Sequence, residues 1–82
     1  MTEINEQINM AVVFANGKVL PRWMMWRGRK IELGKVLLEY QGKDSGVPLL
    51  FYSVQGATSS YGVVWNKDTN IWKLVEVHEL DE

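Results

Sequence analysis

Large apolar residues occupy every second position from Ile8 to Phe14, and Asn9, Ala11 and Val13 lie between them. The apolar positions are Ile8, Met10, Val12 and Phe14. A period of two places alternate side chains on opposite faces of an extended chain, so this stretch predicts a β-strand. Asn16-Gly17 follows. This dipeptide is a strong hairpin signal, because both residues tolerate positive φ.

Further extended segments recur at intervals of about 8–12 residues, the spacing of an all-β domain. They are 18–27, 29–40, 49–54, 60–65 and 71–78. Pro21 suits a strand entrance or a sheet edge, because proline has no N–H to donate to a ladder. Gly28 permits a chain reversal, and Gly34, within 29–40, predicts a bulge or sharp bend. The polar stretch 41–48 predicts a surface loop.

Six strands with short links favour an all-β fold, a small antiparallel meander that is strongly bent or curled into a small barrel. Closure of a bent meander removes exposed edges. The alternative is an α+β fold with one short helix near 35–41, where Val36, Leu37 and Tyr40 would share a helical face. The predicted organisation is a flexible N-terminus (1–7), a single β domain (8–79) and an acidic tail (80–82).

The composition supports one small globular domain. The 82 residues are 46% hydrophobic and include four tryptophans, which allow a small core to bury a large area. There is no cysteine, so the sequence excludes disulfides and thiolate metal sites. A domain of this size without disulfides is typical of a reducing compartment, so we expect a cytoplasmic protein. No apolar run reaches the ~20 residues of a membrane span, and we expect no membrane association.

Candidate catalytic chemistry is sparse. His78 is the single histidine, and the serines do not follow the G-x-S-x-G pattern of an activated nucleophile. Glu76, His78, Glu79 and Asp81 could in principle hold a divalent cation. The favoured interpretation is a solvated acidic end that keeps an edge strand from pairing. The sequence therefore predicts a protein that is not an enzyme and carries no cofactor or metal.

Charge is unevenly distributed along the chain. Residues 1–17 carry a net charge of −2, residues 18–35 carry +5, and residues 36–82 carry −4. The basic part contains the candidate binding surface, whose residues are Arg22, Trp23, Trp26, Arg27, Arg29 and Lys30. We call the stretch 22–30 the basic-aromatic segment. Aromatic rings that stack bases and cations that follow phosphates are typical of single-stranded nucleic-acid binding.

Strand geometry argues against a nucleic-acid platform in this segment. Arg22, Met24 and Trp26 would point to one face, and Trp23, Met25 and Arg27 to the other. The favoured interpretation is that one tryptophan packs in the core and the other covers an end of the sheet. Trp65 and Trp72, which flank the last turn, are likewise expected to pack in the core.

Two functions remain open from these residues. The first is a protein-interaction or regulatory accessory module, with self-association through an uncovered strand edge as one form. The alternative is a single-stranded nucleic-acid-binding domain that uses the basic-aromatic segment.

The order of landmarks resembles a family of small bacterial β-domains of unknown function. The landmarks are Phe14-x-x-Gly17, Pro21, Trp26-x-Gly28-Arg29, Val36, Tyr52-x-Val54, Tyr61 and Trp72-x-Leu74. In that family a P…W-x-G-R hairpin precedes an aliphatic strand, a Y-x-V strand and a terminal W-x-L. Similar domains are attached to some translesion-polymerase-like proteins. The resemblance spans roughly residues 12–77 and implies an all-β fold without an established activity.

Overall fold

The computed structural model describes residues 2–79 as seven antiparallel strands in one sheet. The strands are β1 (Thr2–Ala15), β2 (Lys18–Trp26), β3 (Arg29–Glu32), β4 (Val36–Asp44), β5 (Val47–Gln55), β6 (Ser59–Asn66) and β7 (Ile71–Glu79). Their spatial order is β3-β2-β1-β7-β6-β5-β4. The predicted all-β meander is confirmed, and the alternative helix near 35–41 is wrong, because these residues lead into and form strand β4. The predicted tail, 80–82, lies outside the described residues.

Three of the hairpins have two-residue turns in which both residues adopt positive φ. The turns are Asn16-Gly17, Arg27-Gly28 and Ser45-Gly46, with φ of 53° and 75°, 53° and 74°, and 53° and 84°. This geometry matches the twist of the flanking strands. The predictions for Asn16-Gly17 and Gly28 are confirmed. The predicted loop 41–48 is wrong, because β4 continues to Asp44 and β5 starts at Val47.

Gly34 lies where the chain changes its neighbouring strand. The Leu33 N–H donates to the Arg22 carbonyl of β2 at 2.9 Å, and the Gly34 N–H donates to the Gln55 carbonyl of β5 at 2.7 Å. The predicted strand 29–40 is therefore two strands with different partners, which gives seven strands rather than six. These two bonds also bring β2 and β5 together at one end, so the sheet curls without closing into a barrel.

Strand β1 begins earlier than the hydrophobic pattern predicts. It starts at Thr2 rather than Ile8, and it pairs with β7 from Thr2 opposite Val77 to Ile8 opposite Trp72. Residues 2–7, which the sequence assigns to a flexible N-terminus, thus form part of the sheet. The period of two does continue backward through Ile4. The charged Glu6 interrupts the apolar series, however, so the pattern does not predict a strand before Ile8.

The core lies on one face of the curled sheet, which we call the core face; the opposite face is the outer face. The largest fully buried side chains of the molecule are Met24, Leu74, Val54, Val63 and Pro21. Trp65 and Trp72 are buried and stacked, with ring centroids 5.4 Å apart, which agrees with their predicted core role. The Trp65 indole N–H donates to the Asn70 side-chain oxygen at 3.1 Å, so its polar atom is satisfied.

Candidate functional site

Strands β2 and β3 place the two tryptophans of the basic-aromatic segment on opposite faces. Met24 is fully buried, and Trp26 packs against the core on the same face. Trp23 pairs with Ala11 across β1 while Pro21 pairs with Val12, so the intervening Arg22 is the extra residue of a bulge. Arg22 is exposed there. The segment therefore does not form a single aromatic platform.

Glu6 of β1 binds two residues of the basic-aromatic segment at once. The Trp26 indole N–H donates to Glu6 Oε1 at 3.0 Å, and the Arg27 guanidinium donates to both carboxylate oxygens. The hydrogen bond from Arg27, and then that from Trp26, lowers the pKa of Glu6. Hydrogen bonding to Glu6 raises the pKa of Arg27 in turn. Arg27, whose guanidinium carbon also lies 4.8 Å from the Trp26 ring centroid, is thus an internal partner of the sheet.

Lys30 is also engaged within the molecule. Its ammonium lies 4.8 Å from the Trp23 ring centroid and 3.4 Å from Glu32 Oε2. Arg22 and Arg29 are exposed. Two of the four cations in the predicted surface are therefore paired with carboxylates. Sequence reasoning missed Glu6, because the period of two through Ile4 and Ile8 predicts which face it occupies but not that it lies beside Trp26 and Arg27.

A different surface stands out at the opposite edge of the sheet. Strand β4 is the outermost strand on that side, and we call Val36–Asp44 the β4 edge. Three of its large apolar residues are half-exposed: Leu37 at 49%, Leu38 at 55% and Tyr40 at 52%. The Tyr40 ring stacks on Phe51 of β5, with centroids 4.9 Å apart and an interplanar angle of 9°. This stack holds the Tyr40 ring beside the outer edge of β4, where no other described strand pairs with the backbone.

The outer face next to the β4 edge is grooved. A cavity of about 500 Å³ is lined in part by Lys43, Asp44, Leu49, Phe51 and Val64. A smaller one of about 320 Å³ lies at the strand itself and is not confined to the outer face, because Leu50 of the core lines it together with Gln41 and Gly42. Both grooves combine apolar walls with a few charged side chains, a lining that suits the side chains of an extended peptide.

Of the C-terminal residues considered as a cation site, the described structure shows one pair in contact. His78 Nε2 lies 3.4 Å from Glu76 Oε1. Within residues 2–79, no three histidine, aspartate or glutamate side chains converge as a metal site, and Asp81 is outside that range. The described chain also contains no helix long and apolar enough to cross a membrane.

The landmarks of the family resemblance fall at structurally meaningful places. Trp26, Gly28 and Arg29 form the β2–β3 hairpin, and Trp72 and Leu74 are buried in β7. Any β-sheet core needs such residues, so membership of that family remains a prediction. The chain matches no protein-family model, and comparison with curated proteins and with solved structures finds no significant similarity.

Proposed function

We propose that this protein is a non-catalytic protein-binding module that receives an extended segment of a partner along the β4 edge. The observation that carries the proposal is the exposure of Leu37, Leu38 and Tyr40 on a nine-residue outer strand. An edge strand presents unpaired N–H and C=O groups, and a partner strand can continue the sheet through them. Backbone bonds would supply affinity, and the groove beside Phe51 would select side chains.

The two edges of the sheet differ in a way that supports this assignment. Strand β3 at the other edge has four residues, of which Arg29, Lys30 and Glu32 are charged. Short, charged edges resist pairing with other chains. The β4 edge is more than twice as long and, although three of its nine residues are charged, it also displays three half-exposed apolar side chains. The sheet is therefore protected at one edge and receptive at the other.

Single-stranded nucleic-acid binding has less support. Arg27 and Lys30 are held by Glu6 and Glu32, and the two tryptophans of the segment face opposite ways. A domain net charge of −1 also disfavours phosphate binding, since such domains are typically basic.

A peptide titration tests the proposal. A soluble ten-residue peptide of alternating valine and threonine, with lysine at both ends, is added to ¹⁵N-labelled protein. Amide shifts and slowed hydrogen exchange should be confined to β4 and its neighbour β5. Leu38→Lys should weaken the response, because it replaces a half-exposed apolar side chain of this edge by a charge. The matched control is Val13→Lys, which places the same charge at a 46%-exposed apolar position on β1.

Three results would refute this function: shifts clustered on β2 and β3, an unimpaired response in Leu38→Lys, or no response to the peptide at protein concentrations where the chain is monomeric. The same titration with a thymidine oligonucleotide at low salt addresses the alternative, because phosphate contacts are strongest there. We expect the oligonucleotide to leave the β2 and β3 amides unshifted.

A further inference from the structure

We infer that a second copy of this chain occupies the β4 edge, paired antiparallel with its own β4 about a two-fold axis at Gln41. This inference rests on the proposed function and names its partner. Three independent features of β4 select the same register: the limits of its regular backbone, the order of its charges and the position of its glycine. Each is read directly from residues 38–44.

The regular part of the strand is centred on Gln41. The pairing of β4 with β5 shifts register between Val36 and Leu38, which leaves Leu37 as the extra residue of a bulge. At the other end, the tight turn begins at Ser45. The seven residues between these points can continue a ladder without interruption. A symmetric antiparallel pairing that uses all of them places Gln41 opposite Gln41 of the second copy.

Two of the three charges of β4, Glu39 and Lys43, are self-complementary in this register, and the third, Asp44, lies at its end. Glu39 and Lys43 are equally distant from Gln41, so Glu39 of each copy lies opposite Lys43 of the other. Both residues are exposed, and among the side chains that the structure describes neither takes part in an ion pair. Directly opposed unlike charges stabilise a strand pair, and like charges destabilise it. The dimer would contain this pair twice.

The outer face of the same register opposes Tyr40 to Gly42. A glycine leaves room for an aromatic ring from a neighbouring strand, and at Gly42 the Phe51 ring of β5 takes this room. Phe51 already leans over this site, since a Cβ added to Gly42 would lie 2.9 Å from its ring. Tyr40 of the second copy would therefore meet the Phe51 ring, and the Tyr40–Phe51 stack would continue across the interface.

Neighbouring registers lose these matches. Centring the pair on Tyr40 places Glu39 opposite Gln41 and Lys43 opposite the bulged Leu37. Pairing β4 with the β3 edge of another copy would join unlike surfaces and build an open chain rather than a closed dimer. The short, charged β3 disfavours that contact. The symmetric pair about Gln41 opposes Glu39 to Lys43 twice, leaves only Asp44 opposite an apolar residue, and closes the assembly.

Charge exchange at two positions tests the register. Sedimentation equilibrium measures the association constant of the wild type, Glu39→Lys, Lys43→Glu and the double variant. Each single variant opposes two like-charged pairs and should associate about ten- to a hundredfold more weakly. The double variant should recover the wild-type constant. An equimolar mixture of the two single variants should form a heterodimer, because all its opposed charges are again unlike.

Matched controls separate the local effect from a change in net charge. Lys18→Glu and Glu79→Lys make the same changes at exposed positions outside β4, and they should associate like the wild type. A dimer that responds equally to all four single variants, or a mixture that does not associate, overturns the register. A protein that stays monomeric up to about 1 mM, a concentration that detects very weak complexes, overturns self-pairing.

The outcome also distinguishes this inference from the proposed function. If the chain is monomeric but the valine–threonine peptide still protects the β4 amides, the binding edge stands and its partner is another protein. If neither self-association nor peptide binding occurs, both conclusions fall.

Discussion

Met24 and Met25 are adjacent and chemically identical, yet the structure assigns them opposite environments. Met24 is fully buried on the core face, opposite Met10 of β1 and Ile31 of β3. Met25 is partly buried on the outer face, opposite Asn9 and Lys30. Replacing each in turn by alanine therefore tests the face assignment on which the rest of the fold depends. The chemical change is the same in both variants.

The expected cost follows from burial. Met24→Ala removes three heavy atoms from a site without solvent contact, a transfer loss of about 0.8 kcal/mol per group, to which a cavity contribution is added. We expect a loss of about 3 kcal/mol, a large part of the roughly 4–12 kcal/mol available to a domain of this size. At Met25 solvent and neighbouring side chains can fill the space, so we expect about 1 kcal/mol.

Urea denaturation followed by tryptophan fluorescence measures both variants against the wild type. The midpoint should fall markedly for Met24→Ala and slightly for Met25→Ala, with the slope unchanged, since the surface exposed on unfolding is nearly the same. Thermal unfolding should show a decrease of about 12–24 °C for Met24→Ala. Equal losses in the two variants, or a larger loss for Met25→Ala, would refute the face assignment.

Two further predictions concern charge and backbone. Because Arg27 and Trp26 lower the folded-state pKa of Glu6, its stabilising contribution is complete above the unfolded pKa of about 4.3 and is lost as the pH falls through the folded value. The urea midpoint of Glu6→Gln should therefore depend less on pH between about 5 and 3 than that of the wild type; parallel profiles would contradict this. Gly17→Ala should cost about 1 kcal/mol, because φ is 75° there. Gly34→Ala should be nearly neutral, since the added Cβ would lie an ordinary 3.5 Å from the Gln55 oxygen. Equal urea midpoints for these two variants would contradict the turn geometry.

The sequence predicts those parts of the fold that local chemistry determines. Asn16-Gly17 identifies its turn because few residues adopt positive φ at both positions. Ser45-Gly46 forms the same turn, but the polar residues of β4 before it resemble a loop, since an outermost strand has little to bury. The exchange of partners at Gly34 depends on Arg22 and Gln55, which are distant in sequence, and no local pattern reports it.

The candidate site, too, is predictable from sequence only where local chemistry determines it. The basic-aromatic segment is conspicuous in sequence because cations and tryptophans are clustered there. The ion pair of Arg27 with Glu6 depends on the register in which β1 lies beside β2, and this register is a property of the tertiary structure. The sequence predicts an uncovered strand edge, but it does not predict that this edge is β4. Which strand lies outermost depends on the order of all seven strands.

The position of β1 between β2 and β7 has a consequence for folding kinetics. The strands β1 to β3 and β4 to β7 form two groups whose hairpins close between neighbouring residues. The seam that joins the groups pairs Ile8 with Trp72, near opposite ends of the chain. Closing so long a loop carries an entropic cost before any contact compensates it, and such topologies fold in milliseconds to seconds. We therefore expect formation of this seam, rather than of any hairpin, to set the folding rate.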